Sequence, residues 1–409
     1  MKKLLLRGIG GIIILAVVRA AAAAIPPLNN AYVRFLGVPA EIAPTISGTI
    51  LALGYVFAVL GPLFAGYMAD RAGSVKTFMF GGLIFVVFYA LWAFTPIFQL
   101  LYLYRVILAV GSGLIFVGVQ KYLLEGAPKG KKGMSMGFYG LGFGVGAAIG
   151  PMLGALIVPK FGIIRAYYVL SLASLIALVV GFLITQIATL LDKEPKAPTL
   201  KHKPTEKKPS FAQVFANQPK AVYVIIAIGV SIGINNAAVF ANIDDLAVSL
   251  GWKVGAGTMG VAIFALFSFA MPLGGVFGDK LGAELGVLLG CVFLTIGFGA
   301  LAVIGNPSLI YPLMAVAGIG SVLFTPNSQA LIGSYASDNY KGTLLSYLQG
   351  AVGLGSAGGA LLGGFLHSAI SVRATFVSVL ISGLLAVAIS LILVDMKKKA
   401  PKPAEGQKS

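Results

Sequence analysis

Apolar residues fill this chain in long blocks, and each block ends at a cluster of glycine, proline or charge. Most blocks reach the roughly 20 residues that a helix needs to cross a bilayer. Block length and breakers predict twelve spanning helices. In the first half they lie near 8–33, 42–69, 75–96, 99–123, 133–158 and 163–190. In the second they lie near 220–242, 256–279, 283–305, 308–332, 342–366 and 371–395. Strands do not fit, because the blocks lack the polar alternation of a barrel strand and irregular backbone in lipid leaves amides unpaired. The expected fold class is an all-α membrane protein.

Composition agrees and adds topology. Of 409 residues, 58% are hydrophobic and 11% charged, and the mean hydropathy is +0.94. A soluble domain carries roughly a quarter charged residues. The formal charge of +17 would suit nucleic acid, but the bases lie between and beyond the apolar blocks, so no nucleic-acid partner is expected. With both termini on one side, 23 of the 30 Lys and Arg fall on that side. Five (Arg34, Lys160, Arg165, Lys253, Arg373) fall on the other, and Arg19 and Arg105 lie within helices. This excess predicts a multi-pass plasma-membrane protein with both termini cytoplasmic. The lone Cys291 permits neither an intramolecular disulfide nor a cysteine metal site, and no metal or cofactor is expected. Met1-Lys-Lys, the apolar run after it and Ala20–Ala24 imitate a cleaved secretory signal; Arg19 inside the run and the need for a first helix oppose cleavage.

The chain is doubled. Gly66-Tyr-Met-Ala-Asp70-Arg71-Ala-Gly73 returns 209 residues later as Gly275-Val-Phe-Gly-Asp279-Lys280-Leu-Gly282. The same offset carries Gly146, Gly150 and Gly154 to Gly355, Gly359 and Gly363, and Lys132-Gly133 to Lys341-Gly342. Residues 1–190 and 220–396 therefore read as two pseudo-symmetric six-helix bundles, with a linker at 191–219 and a basic tail at 397–409. Five prolines and six lysines make the linker an extended polar tether; its lysines also suit anionic lipid headgroups.

Two six-helix halves, a long linker and the doubled turn together resemble the major facilitator superfamily of secondary transporters, and the resemblance covers the chain except its linker and tail. The loop signature after helix 2 matches Gly66, Asp70, Arg71 and Gly73, with Ser74 and Val75 in place of two bases and Lys76 retained. The helix 4 signature resembles Arg105, Gly111 and Gly113, with Ala109 replacing a glycine. The helix 5 signature of exporter-type members resembles Gly146-Ala-Ala-Ile-Gly150-Pro151-Met-Leu-Gly154, with Ala155 replacing the last glycine. The resemblance implies alternating access, and its third motif implies export.

Three sets of residues carry the expected mechanism. Asp70 and Asp279, each facing the start of a helix in the other half, are expected to latch the cytoplasmic side shut and release as the halves rock. Arg71, Lys76 and Lys121 are candidates to hold Asp70, and Gly73 and Lys280 complete the two turns. A charged turn that only fixes topology is the alternative. The glycine stripes on helices 5 and 11 let helices approach closely, either as sliding surfaces or as static packing, and Pro151 adds a kink.

Arg19 is the most informative position. It lies about 18 Å along helix 1 from Arg7 at 1.5 Å per residue, near the bilayer centre. A cation there costs at least ~2.5 kcal/mol and needs a partner. All thirteen acids read as loop, linker, tail or helix-end residues, so none is at hand. Arg105 adds a second cation in the same half. A positive site without counter-charge suits an anionic substrate, which arginine binds through paired hydrogen bonds. Alternatively, Arg19 snorkels or meets carbonyls at a Pro26-Pro27 break, and Arg105 braces helix 1. Tyr139, Asn235, Asn236, Tyr347 and Gln349 are candidate neutral contacts.

A small organic anion moved outward by a monomeric carrier is the leading reading. A multidrug exporter of neutral or cationic hydrophobic compounds comes second, and a receptor on the same fold third. No catalysis is expected, since no nucleotide loop, paired intramembrane acids or metal cluster stands out. Without an intramembrane acid, coupling through a dedicated carboxylate is not expected either.

Overall fold

Long apolar blocks become helices because a helix satisfies every backbone amide from within its own segment. The computed structural model describes residues 2–125, 132–190, 218–335 and 341–399; the expected tail from 400 and the linker at 191–217 lie outside the described residues. The first half consists of α1 (Lys2–Phe35), α2 (Ala43–Ala72), α3 (Ser74–Phe94), α4 (Gln99–Glu125), α5 (Lys132–Phe161) and α6 (Ile163–Leu190). The second holds α7 (Lys220–Ser249), the interrupted pair α8a (Thr258–Leu266) and α8b (Met271–Leu281), α9 (Ala283–Gly299), α10 (Ile310–Tyr335), α11 (Lys341–Ala369) and α12 (Val372–Lys399). Among the described residues, eleven spans are long and apolar enough to cross a membrane, α8a and α8b together making one of them. The twelfth helix, the glycine-rich α11, packs most extensively on α7 and also lies against α2.

Three turns are single glycines. Gly73 (φ +91°) joins α2 to α3, Gly162 (φ +84°) joins α5 to α6, and Gly282 (φ +102°) joins α8b to α9. Such a dihedral suits only glycine, which explains why Gly73 and Gly282 occupy the doubled turn.

Two hydrophobic cores follow the two halves. One gathers Tyr32, Phe78, Phe85, Tyr89, Trp92 and Tyr167; the other gathers Leu294, Phe298, Met314 and Phe376. Ala237, Ala241, Ala357 and Ala360 of the second half join the first core, so the seam is made of small side chains. Both glycine stripes pack inside their own halves. A Cβ on Gly146 or Gly150 would overlap α1 at Ala16 and Ala20, and one on Gly355 or Gly359 would overlap α7 at Val230 and Ile234. Gly154 and Gly363 continue the two stripes against Leu28 and Ala238. The closest glycine approach between halves is a different pair, Gly48 of α2 against Gly364 of α11.

Several local expectations need correction. Pro26 and Pro27 do not break α1, which runs through both. Span 8 is broken instead, by a 3₁₀ turn at Phe267–Ala270 just before Pro272. α7 continues past the expected end at 242 to Ser249, which places Asp244 and Asp245 inside a helix.

Candidate functional site: a cavity between the halves

The halves meet tightly at the ends far from the chain termini and separate toward the termini. At the far side Thr45 N–H donates to Ser368 Oγ (3.1 Å), and Gly255 approaches Pro159 and the Gly154 carbonyl. Toward the termini the glycines that line the gap have room: nothing lies within 4 Å of a Cβ built on Gly137 or Gly140, and on Gly144 the nearest atom is Ser268 at 3.8 Å. Between these ends lies a cavity of about 860 Å³, open on the side of the termini.

α1 and α4 bring both arginines to its wall. The Arg19 guanidinium sits 4.5 Å from the Phe143 ring centre, and Phe143 is backed by Phe116 and Tyr139. Arg105, only 9% exposed, lies in a slot left by Gly54, where any Cβ would overlap its guanidinium, with the Tyr55 ring centre 6.0 Å away. Arg105 thus packs against α2, where the alternative reading has it brace helix 1. The Nε of each arginine is buried without a hydrogen-bond partner, and among the described residues no acid lines the cavity. Cation–π contact offsets only ~0.5–2 kcal/mol of the cost of two charges so deep in the bilayer. Snorkelling is excluded, because Arg19 points into the cavity. Prolines add acceptors nearby: Pro26 and Pro27 have no N–H to give the carbonyls of Ala22 and Ala23, which also line the cavity.

Of the expected neutral contacts, Asn236 and Gln349 line the cavity, and Asn236 Oδ1 has no partner. Tyr139, Asn235 and Tyr347 do not line it. Tyr139 supports Phe143, Tyr347 packs against the second core, and Asn235 is 2% exposed, with Oδ1 unpartnered. The side chains missed from sequence are Tyr55 and Phe143, ordinary aromatics on apolar helices with nothing local to mark them. The α8 break was also missed; it brings Ser268, Phe269, Met271 and Pro272 to the wall. Its sequence signal was Pro272, and helices interrupted at the centre of a carrier commonly line its binding site.

The first doubled turn is held within its own half. Lys121 Nζ donates to Asp70 Oδ1 (2.6 Å) and to the Ala69 carbonyl (2.8 Å), while Ser74 Oγ donates to Glu125 Oε2 (2.6 Å). Of the expected holders of Asp70 only Lys121 serves; Arg71 lies over the Tyr67 ring at 4.4 Å, and Lys76 is exposed. Asp279 and Lys280 are exposed as well, and the position 209 after Lys121 is Ala330. The second turn is held by a neutral side chain, Asn327, which donates to the Gly274 carbonyl (2.9 Å) and fills the space above Gly278 and Gly286.

At the far side the acids depart from expectation. Asp245, 7% exposed, accepts from Arg34 Nη2 (2.7 Å) and Asn30 Nδ2 (2.7 Å) of α1, and His367 Nδ1 of α11 lies 3.5 Å away. His367 also contacts Asn242 Oδ1 (2.9 Å), and Asp244 accepts from the backbone N–H of Gly255 and Gly257. Asp245 is therefore a buried acid in a network that joins the halves, Asp244 is a buried acid held within the second half, and the inference that no such acid exists holds for the cavity alone.

A cavity between two helical bundles, closed at one end and open at the other, is the architecture of a membrane transporter. The chain belongs to the Major Facilitator Superfamily, whose sequence profile matches residues 8–310 and 224–409. The multi-drug resistance efflux pump PmrA homologue of Lactococcus lactis subsp. lactis (strain IL1403) is 25% identical over 360 residues, covering 86% of this chain and 85% of that protein. Multidrug resistance protein MdtG of Serratia proteamaculans (strain 568) is 24% identical over 372 residues, covering 87% and 86%. Among solved structures, a bacterial homologue of the human lysosomal transporter Spinster, in an inward-facing and occupied conformation, superposes with a TM-score of 0.78. It covers 97% of this chain and 98% of its own at 14% identity. The POT family transporter PepTSo gives 0.74, with 96% and 97% covered at 15% identity. Both likenesses are of fold.

Proposed function

We propose that this transporter carries a small organic anion outward across the plasma membrane. The observation that carries the reading is the pair of arginines: the charged side chains lining the cavity are Arg19 and Arg105, and each has a buried Nε without a partner. A substrate carboxylate or phosphate supplies the missing counter-charge through two-pronged hydrogen bonds. The helix 5 motif and the efflux names of the relatives support the outward direction. The asymmetry of basic residues supports cytoplasmic termini, and so an inward-open state here. In this reading 1–190 and 220–396 are the rocking units of a monomer, 191–219 tethers them, and 397–409 is a cytoplasmic tail. Asp70 and Asp279 latch the cytoplasmic side once it closes, and Asp70→Asn then slows transport and changes the inward/outward ratio.

The multidrug names of the relatives favour a second reading, export of neutral or cationic hydrophobic compounds, which the cavity's aromatic side chains also suit. A thermal-shift screen of purified protein against anions and cations separates the two. Stabilisation by anions that is lost in Arg19→Gln supports the first. Stabilisation by cations alone overturns it.

A further inference from the structure

The two walls of the cavity differ in kind. Both charges come from the first half, on α1 and α4. The second half contributes Phe240, Val261, Phe264, Phe269 and Met271, and no charged side chain among the described lining residues. Its polar surface consists of hydroxyls and amides, Asn236 and Gln349 foremost. Phe264 is fixed by edge-on contact with Phe240 (centroids 5.2 Å apart) and by Phe298 behind it (5.5 Å), so the apolar patch is built and rigid.

Alternating access puts a further demand on the ligand. A molecule that touches one half alone makes the same contacts whether the halves are open or closed, and so cannot bias the equilibrium between them. A small hydrophilic anion paired with Arg19 and Arg105 is in that position, and it leaves water against the phenylalanines of the other wall. A ligand that couples binding to closure must present something for the second half to bind, and beside the Asn236 and Gln349 amides that half offers mostly apolar surface. A cavity of about 860 Å³ lies within the ~300–1,000 Å³ of sites for drug-sized ligands.

We propose that the substrate is an amphipathic organic anion, its carboxylate or phosphate held by Arg19 and Arg105 and its aliphatic or aromatic body seated on the Phe240–Val261–Phe264 wall of the second half. This rests on the anion reading above and narrows it. It also accounts for the likeness to efflux proteins without a cationic substrate, since selection for the hydrophobic body is loose and selection for the head is strict.

The test is a homologous series, butanoate, hexanoate and octanoate, with octylammonium as the charge control. Dissociation constants are measured calorimetrically on full-length protein in neutral-lipid nanodiscs, with empty discs subtracted. Affinity is expected to rise about three- to fourfold per methylene, on the order of 100-fold from butanoate to octanoate. Phe264→Ala and the isosteric Val261→Thr are expected to weaken octanoate roughly three- to tenfold and to leave butanoate unchanged. Unchanged butanoate binding in both variants guards against a folding defect. Equal affinity along the series, with Arg19→Gln still abolishing anion binding, overturns the proposal and leaves the anion reading standing. A chain-length gain that survives both wall variants overturns it too, because the gain then comes from somewhere other than that wall. Binding of octylammonium in place of octanoate overturns both readings.

Discussion

At the scale of single residues, Arg105 occupies the slot that Gly54 leaves empty and Arg19 rests against the Phe143 ring. Arg19 and Arg105 stood out because a cation in an apolar block is costly and rarely idle. Tyr55, Phe143 and the empty slot at Gly54 could not be found from the chain, since each matters only through what another helix brings to it. The buried acid Asp245 was misplaced for a related reason. The string Asn242-Ile-Asp-Asp reads as the polar end of a helix, and only Asn30, Arg34 and His367 on two other helices make its burial tolerable. The slot gives a sharp prediction. Gly54→Ala drives a methyl into the Arg105 guanidinium and should cost about 1–3 kcal/mol, read as a fall in melting temperature with loss of anion binding. Gly66→Ala meets nothing within 4 Å and should leave stability within about 0.5 kcal/mol.

At the scale of helices, the sequence reading was accurate in number and placement because block length and breakers report directly on the bilayer. It misjudged proline. Pro26 and Pro27 are carried inside a continuous helix, whereas the turn before Pro272 interrupts span 8. Sequence alone does not separate these cases; the wall of a cavity tolerates unpaired carbonyls that lipid does not. The glycine stripes lie against α1 and α7, where backbone carbonyls crowd the space a side chain would need. Gly150→Val and Gly359→Val should each cost about 1–3 kcal/mol, measured by thermal unfolding in detergent, because backbone carbonyls of Ala20 and Ile234 occupy the space.

At the scale of the whole molecule, the far-side network is the contact that holds this state. Arg34 and Asn30 belong to one half, Asp245 and His367 to the other, and the carboxylate between them is 7% exposed. Asp245→Asn or Arg34→Gln removes the ion pair and should favour far-side opening by roughly 1–3 kcal/mol, discounted because Arg34 is 31% exposed. Spin labels at Glu41 and Lys253, exposed far-side positions of opposite halves, should then show a longer distance gain population. Duplication made the two-bundle architecture readable from the repeats at one offset. It did not reveal that the two turns are held differently, by Lys121 in one half and Asn327 in the other, because a repeat preserves the backbone and lets the partners diverge.

The central claim is that the arginine-lined cavity selects its cargo by charge, and transport of a matched pair tests it most directly. Proteoliposomes are loaded with naphthylacetate or with naphthylmethylamine, which share a ring system and differ in the sign of the head, and efflux is followed for the native protein and for Arg19→Gln. The account predicts protein-dependent efflux of the carboxylate, lowered at least tenfold in the variant, and none of the amine. Efflux of the amine at an equal or greater rate, or carboxylate efflux indifferent to Arg19, contradicts it.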